Sequence, residues 1–140
     1  MRIFSDLIAW FQRKRQASLF PEREIVVKLY ATGITSTYPR GEVQTIAWSE
    51  VQRVLIETND SGPWGADVWW ILEGEAKRCT YPMGATGEQE ALAEYQRRFP
   101  GFDDVAVIEA MGSTSNARFT CWEPSYAHRV GEGAAPSPSV

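Results

Sequence analysis

The chain has 140 residues, 44% of them hydrophobic and 23% charged, a mixture suited to one globular domain with a core of its own. Fourteen Lys and Arg against eighteen Asp and Glu leave a net charge of -4, which argues against a nucleic-acid partner, whose phosphates need clustered cations, and favours a basic one. Two cysteines, Cys79 and Cys121, stand without a CxxC spacing or a nearby histidine, so they read as buried thiols and indicate neither a disulfide framework nor a zinc site.

Residues 1–20 read as an amphipathic segment. Ile3, Leu7, Trp10 and Phe11 share one helical face, and Arg13-Lys14-Arg15 follows. The apolar run Leu7 to Phe11 is too short for a signal h-region or a bilayer span. A short N-terminal helix docked on the body is expected, with weak membrane-surface contact through residues 1–20 as the alternative.

From Pro21 the pattern becomes strand-like. Glu24 to Tyr30 places Ile25, Val27 and Leu29 on one face, and Ile34 to Tyr38, Val43 to Trp48 and Val51 to Thr58 follow with Gly- and Pro-containing turns between them. Asp67 to Leu72 and Lys77 to Tyr81 continue the series. The connections are too short for crossover helices, so the expected arrangement is an antiparallel meander. Thr86-Gly-Glu-Gln89 has the form of a capping box opening a helix that carries Leu92, Tyr95 and Phe99 and ends at Pro100-Gly101. A second helix is expected from the N-cap Asp103, with Phe102 stapled to Val107 and Gly112 as a left-handed C-cap. Asn116 to Glu123 alternates as a last strand. The fold expected is therefore α+β: a bent antiparallel sheet of about six or seven strands with one or two helices packed on it. Residues 21–123 form the domain, and the Pro-, Gly- and Ser-rich residues 124–140 form a disordered tail.

No catalytic constellation assembles. His128 is the lone histidine and falls in the expected tail, which removes most nucleophile–base readings and most metal sites. The acidic pairs Asp60/Asp67, Glu73/Glu75 and Asp103/Asp104 have simpler roles in turns and at a helix start. The glycines make no phosphate loop; the helix start at Thr86 to Glu88 is at most a faint anion site. No enzyme activity, cofactor or metal is expected.

The stretch E-T-N-D-S-G-P-W-G-A-D-V-W-W concentrates aromatic and acidic side chains. Trp69 and Trp70 are adjacent on an expected strand, so the pleat sends one ring to the core and the other outward, there to be covered or to meet a partner. With Trp64 at the loop apex and the acids Asp60 and Asp67 beside it, this is the candidate partner-binding patch: Asp60, Trp64, Asp67, Trp69 and Trp70.

The motifs T-N-D-S-G-P-W-G-A-D-V-W-W-I-L, F-P-G-F-D and I-E-A-M-G-S-T-S-N-A-R-F-T-C-W, in that order, resemble a widespread group of small, largely uncharacterised bacterial proteins with the pattern T-T-D-x-G-P…D-V-F-W-x-L, L-P-G-F-D and A-M-x-S-T-x-N-A-x-F-x-x-W. The likeness runs from Thr58 to Trp122 and departs mildly at Asn59, Trp69 and Phe99. It implies one cytoplasmic domain and brings no catalytic residue with it. More loosely, Ile34 to Leu72 is similar to bacterial pleckstrin-homology-like domains, whose closing helix is single. The expected function is a non-enzymatic protein-binding module, foremost an immunity protein that occludes the active site of a cognate, possibly basic, toxin domain; a pleckstrin-like scaffold or membrane-surface module is the alternative.

Overall fold

Ile25, Val27 and Leu29 turn inward and Lys28 outward, the alternation that makes a half-buried strand of β1 (Val26–Leu29). It pairs antiparallel with β2 (Gly33–Thr37), which pairs in turn with β3 (Val43–Ala47). Gly33 is required by proximity: a Cβ there would lie 2.4 Å from the Ile46 carbonyl oxygen. The computed structural model describes residues 24–62, 65–113 and 115–128, with the side chains of residues 60–67 outside that description. The expected N-terminal helix and residues 129–140 therefore lie outside the described residues.

Trp48, expected at the end of the third strand, instead opens a 3-10 turn, Trp48–Glu50. The turn swings its ring inward, where Nε1 donates to the Tyr30 carbonyl at 2.9 Å, and the Glu50 carboxylate accepts from the Ala47 N–H at 2.9 Å. That hydrogen bond holds the Glu50 carboxyl below its usual range, with Lys77 adding to the effect.

The remaining strands are β4 (Arg53–Gly62), β5 (Gly65–Glu73), β6 (Arg78–Pro82) and β7 (Ala117–Trp122). They form a second antiparallel sheet in the order β6-β5-β4-β7. The α+β class agrees with the expectation; the single sheet of six or seven strands does not, because the described strands divide into sheets of three and four and β3 and β6 share no backbone ladder. Side chains join them instead. Gln44 Oε1 accepts from the Thr80 N–H at 2.7 Å and from its hydroxyl at 2.9 Å, while the Tyr38 hydroxyl donates to the Thr80 carbonyl at 2.7 Å. The meander is also broken at its end, since β7 returns beside β4 after the helices.

Those helices are α1 (Glu88–Arg98) and α2 (Asp104–Gly112). The expected capping box does not form. The Thr86 backbone is taken by β1, with Val27 N–H donating to Thr86 O at 2.7 Å and Thr86 N–H to Ile25 O at 2.9 Å, and the N-cap passes to Gly87 at φ 94. Asp103 does cap α2, accepting from Ala106 N–H at 3.0 Å. Gly112 stays inside the helix rather than ending it in the left-handed region; the chain leaves at Ser113 in an extended conformation.

Both helices pack on one face of the second sheet, enclosing an aromatic core of Trp48, Trp70, Tyr81, Tyr95, Phe99 and Trp122 with Ile34 and Ile46 of the first sheet. Phe99 and Trp122 lie 4.5 Å apart, and the Arg98 guanidinium sits 4.6 Å over the Trp48 ring. The ordered chain continues past Trp122: Tyr126, placed by composition in the tail, is buried in this core, and a Cβ at Gly101 would meet its carbonyl oxygen at 2.1 Å. His128 follows as an exposed residue.

Candidate functional site

The glycine- and aspartate-rich stretch after Thr58 was expected to be mostly loop, yet the β4–β5 ladder runs through it to the pair Gly62↔Gly65. An irregularity in register between Asn59 and Gly62 lets the turn-forming sequence stay paired. The neighbouring strands stop earlier. β7 accompanies β4 only as far as Thr58↔Ala117, and β6 accompanies β5 only to Trp69↔Pro82. Among the described residues the far end of the hairpin is thus an arm of two strands reaching past its sheet. Its base is pinned: the Thr58 hydroxyl donates to the Ser115 carbonyl at 2.7 Å, and Met83 N–H donates to Val68 O at 2.8 Å.

Two of the expected partner-binding residues, Asp60 and Asp67, lie on the strands of this arm, and Trp64 falls outside the described residues. Asp67 stands opposite Asn59 in the ladder, whereas the side chains of Asp60, Trp64 and Asp67 lie outside the described residues. The other two are separated by the pleat. Trp69 faces outward and is half-buried; Trp70 is 0% exposed. Trp70 therefore leaves the candidate set: its ring lies against Tyr81 and Tyr95 at centroid distances of 6.3 and 5.6 Å, out of any partner's reach.

Trp70 belongs to a buried polar cluster that sequence reasoning did not find. Its Nε1 donates to Glu88 Oε2 at 3.2 Å, the other carboxylate oxygen accepts from Gly84 N–H at 2.9 Å, and the Tyr81 and Tyr95 hydroxyls meet at 2.5 Å. Desolvation pushes both phenols well above their ordinary range. The sequence suggests a cap and at most a faint anion site at Thr86 to Glu88; in the structure the Glu88 carboxylate itself accepts from the Gly84 N–H. The signal that could have exposed it is the glycine on its N-terminal side, Gly87, which leaves the N-cap without a side chain and turns the next residue inward.

Of the acidic pairs, Glu73, Asp103 and Asp104 have structural partners. Glu73 is bridged to Arg53 at 3.4 Å, Asp103 caps α2, and Asp104 accepts from Gln96 Nε2 at 2.7 Å. Cys79 and Cys121 are both buried, and burial raises their thiols above the ordinary range, away from the reactive thiolate. Among the described residues no group of three or more His, Cys, Asp or Glu is placed to hold a metal, and no helix is long and apolar enough to cross a membrane. The expected membrane contact through residues 1–20 lies outside them. Comparison of the chain with protein-family models, curated proteins and solved structures found no match.

Proposed function

We propose that this protein is a non-enzymatic protein-binding module that acts in the cytoplasm as an immunity protein, occluding the active site of a cognate toxin with a basic surface. The observation that carries this reading is the two-stranded arm beyond Thr58 and Trp69, a paired backbone that outruns its neighbouring strands and carries Asp60 and Asp67, with Trp64 between its two strands in sequence. A projecting hairpin enters a concave site at small conformational cost, because its backbone is already paired. Tryptophan is the side chain that most often anchors an interface, and carboxylates beside it steer and orient a cationic partner. The net charge of -4 acts in the same direction.

The test is a toxin-like reading frame directly upstream of the gene. Its product should be captured by this protein, and co-expression should protect cells from it. Trp64→Ala should weaken capture by about 30-fold or more, the scale of a hot-spot loss of about 2 kcal/mol, with an unchanged circular dichroism spectrum. Asp60→Asn with Asp67→Asn should chiefly slow association and flatten its salt dependence. Cells that die despite full co-expression refute the proposal.

A further inference from the structure

The second sheet buries side chains on both faces. Strand partners share a face, so Ile56, Trp70 and Tyr81 point together into the core, and Leu55, Ile71, Thr80 and Thr120 point together to the opposite side. The next row on that opposite side is Trp69 with Pro82, Glu57 and Arg118. The described helices pack on the core face, and the core cluster that they close does not include Leu55 or Ile71. Even so, Leu55 is 1% and Ile71 3% exposed. Two adjacent aliphatic side chains in the middle of an open sheet face do not reach that level of burial through strand neighbours alone.

We propose that this outer face of the second sheet is the seat of the chain's own N-terminal segment, residues 1–20, with Leu55, Ile71 and Trp69 receiving Ile3, Leu7, Trp10 and Phe11. The point of entry supports it. The described chain begins at Glu24, and the next residue, Ile25, is held by Thr86, whose N–H donates to Ile25 O at 2.9 Å. Thr86 lies four positions after Pro82, the residue opposite Trp69, and Ile25 lies one strand spacing from Thr86, so the chain before Ile25 starts within about 19 Å of this corner of the face. The apolar spacing of the segment fits a stripe, and a helix of about fifteen residues, roughly 22 Å long, exceeds the roughly 14 Å width of four strands. Residues 129–140, the other chain end, offer only two valines among small and polar residues. The rim needs no further charge, because Glu57 is paired with Arg118 at 2.6 Å and Glu73 with Arg53 at 3.4 Å.

The arm that carries the proposed function takes no part in this contact, so the two ideas fail separately. The experiment is photo-crosslinking in the full chain, with p-benzoylphenylalanine replacing Trp69 in one variant and Thr120, half-buried opposite Leu55, in a second. Each variant is first shown to be folded by circular dichroism. After irradiation of the monomer, digestion and mass spectrometry should find position 69 or 120 joined to a peptide within residues 1–15. The joint substitution Leu7→Asp and Trp10→Asp should reduce that product at least fivefold while the β-sheet spectrum is kept. Crosslinks that map to residues 129–140, crosslinks that join two copies as a dimer, or a yield unaffected by the joint substitution overturn the proposal, as does the absence of any crosslink from both positions.

Discussion

The two faces of the second sheet use neighbouring residues for different purposes. On the core face Trp70 is enclosed by Tyr81, Tyr95 and the Glu88 carboxylate, every polar tip met by another. On the outer face Trp69 stands half-buried among ion pairs, Glu57 with Arg118 and Arg53 with Glu73. One residue of displacement along a strand thus moves a tryptophan from the core to the opposite face of the sheet. The difference teaches that the tryptophan content of this chain is not one aromatic patch, and that perturbations on the two sides should differ in kind as well as size.

The sharpest break is Trp70→Ala, expected to cost about 3–5 kcal/mol from lost packing and the cavity left behind. Urea unfolding should show it, and Trp69→Ala should cost clearly less; equal costs would erase the distinction between the faces. Next comes Glu88→Ala, which leaves the Gly84 N–H and the Trp70 Nε1–H without this acceptor, for about 2–3 kcal/mol. A smaller effect is expected of the phenols. Because burial raises Tyr81 and Tyr95 in the folded state, their contribution is intact below the unfolded tyrosine value of about 10 and is lost as pH rises beyond it. Tyr81→Phe should cost about 1 kcal/mol at pH 7 and make stability fall less steeply above pH 10, as followed by denaturant midpoints across that range. Last, Arg118→Ala on the outer face should change stability by about 0.5 kcal/mol or less, since its ion pair with Glu57 is largely exposed, and the change should vanish in high salt.

Strand and helix existence was legible because it rests on local periodicity. Ile25, Val27 and Leu29 announce β1, and Leu92, Tyr95 and Phe99 announce α1, within a few residues each. What could not be read locally was decided by distant partners. The capping box failed because β1, far upstream, claims the backbone of Thr86. The loop expected after Thr58 became a paired arm because the opposite strand was in register to receive it. The seam between the two sheets is made by side chains, Gln44 and Tyr38, that meet Thr80, 36 and 42 positions away. Of the candidate site, the pleat already required one tryptophan in and one out, but only tertiary packing could choose Trp70 for the interior.

Gln44 also has a protective role. A strand that ends a sheet presents bare amide and carbonyl groups, a template onto which a strand of another molecule can add. On β6 the Gln44 amide oxygen and the Tyr38 hydroxyl take up the N–H and carbonyl of Thr80, at the middle of the strand where an invading chain would have to register. The side-chain seam between the two sheets is therefore also a guard against self-association, which keeps the border of one sheet from becoming the start of a fibre.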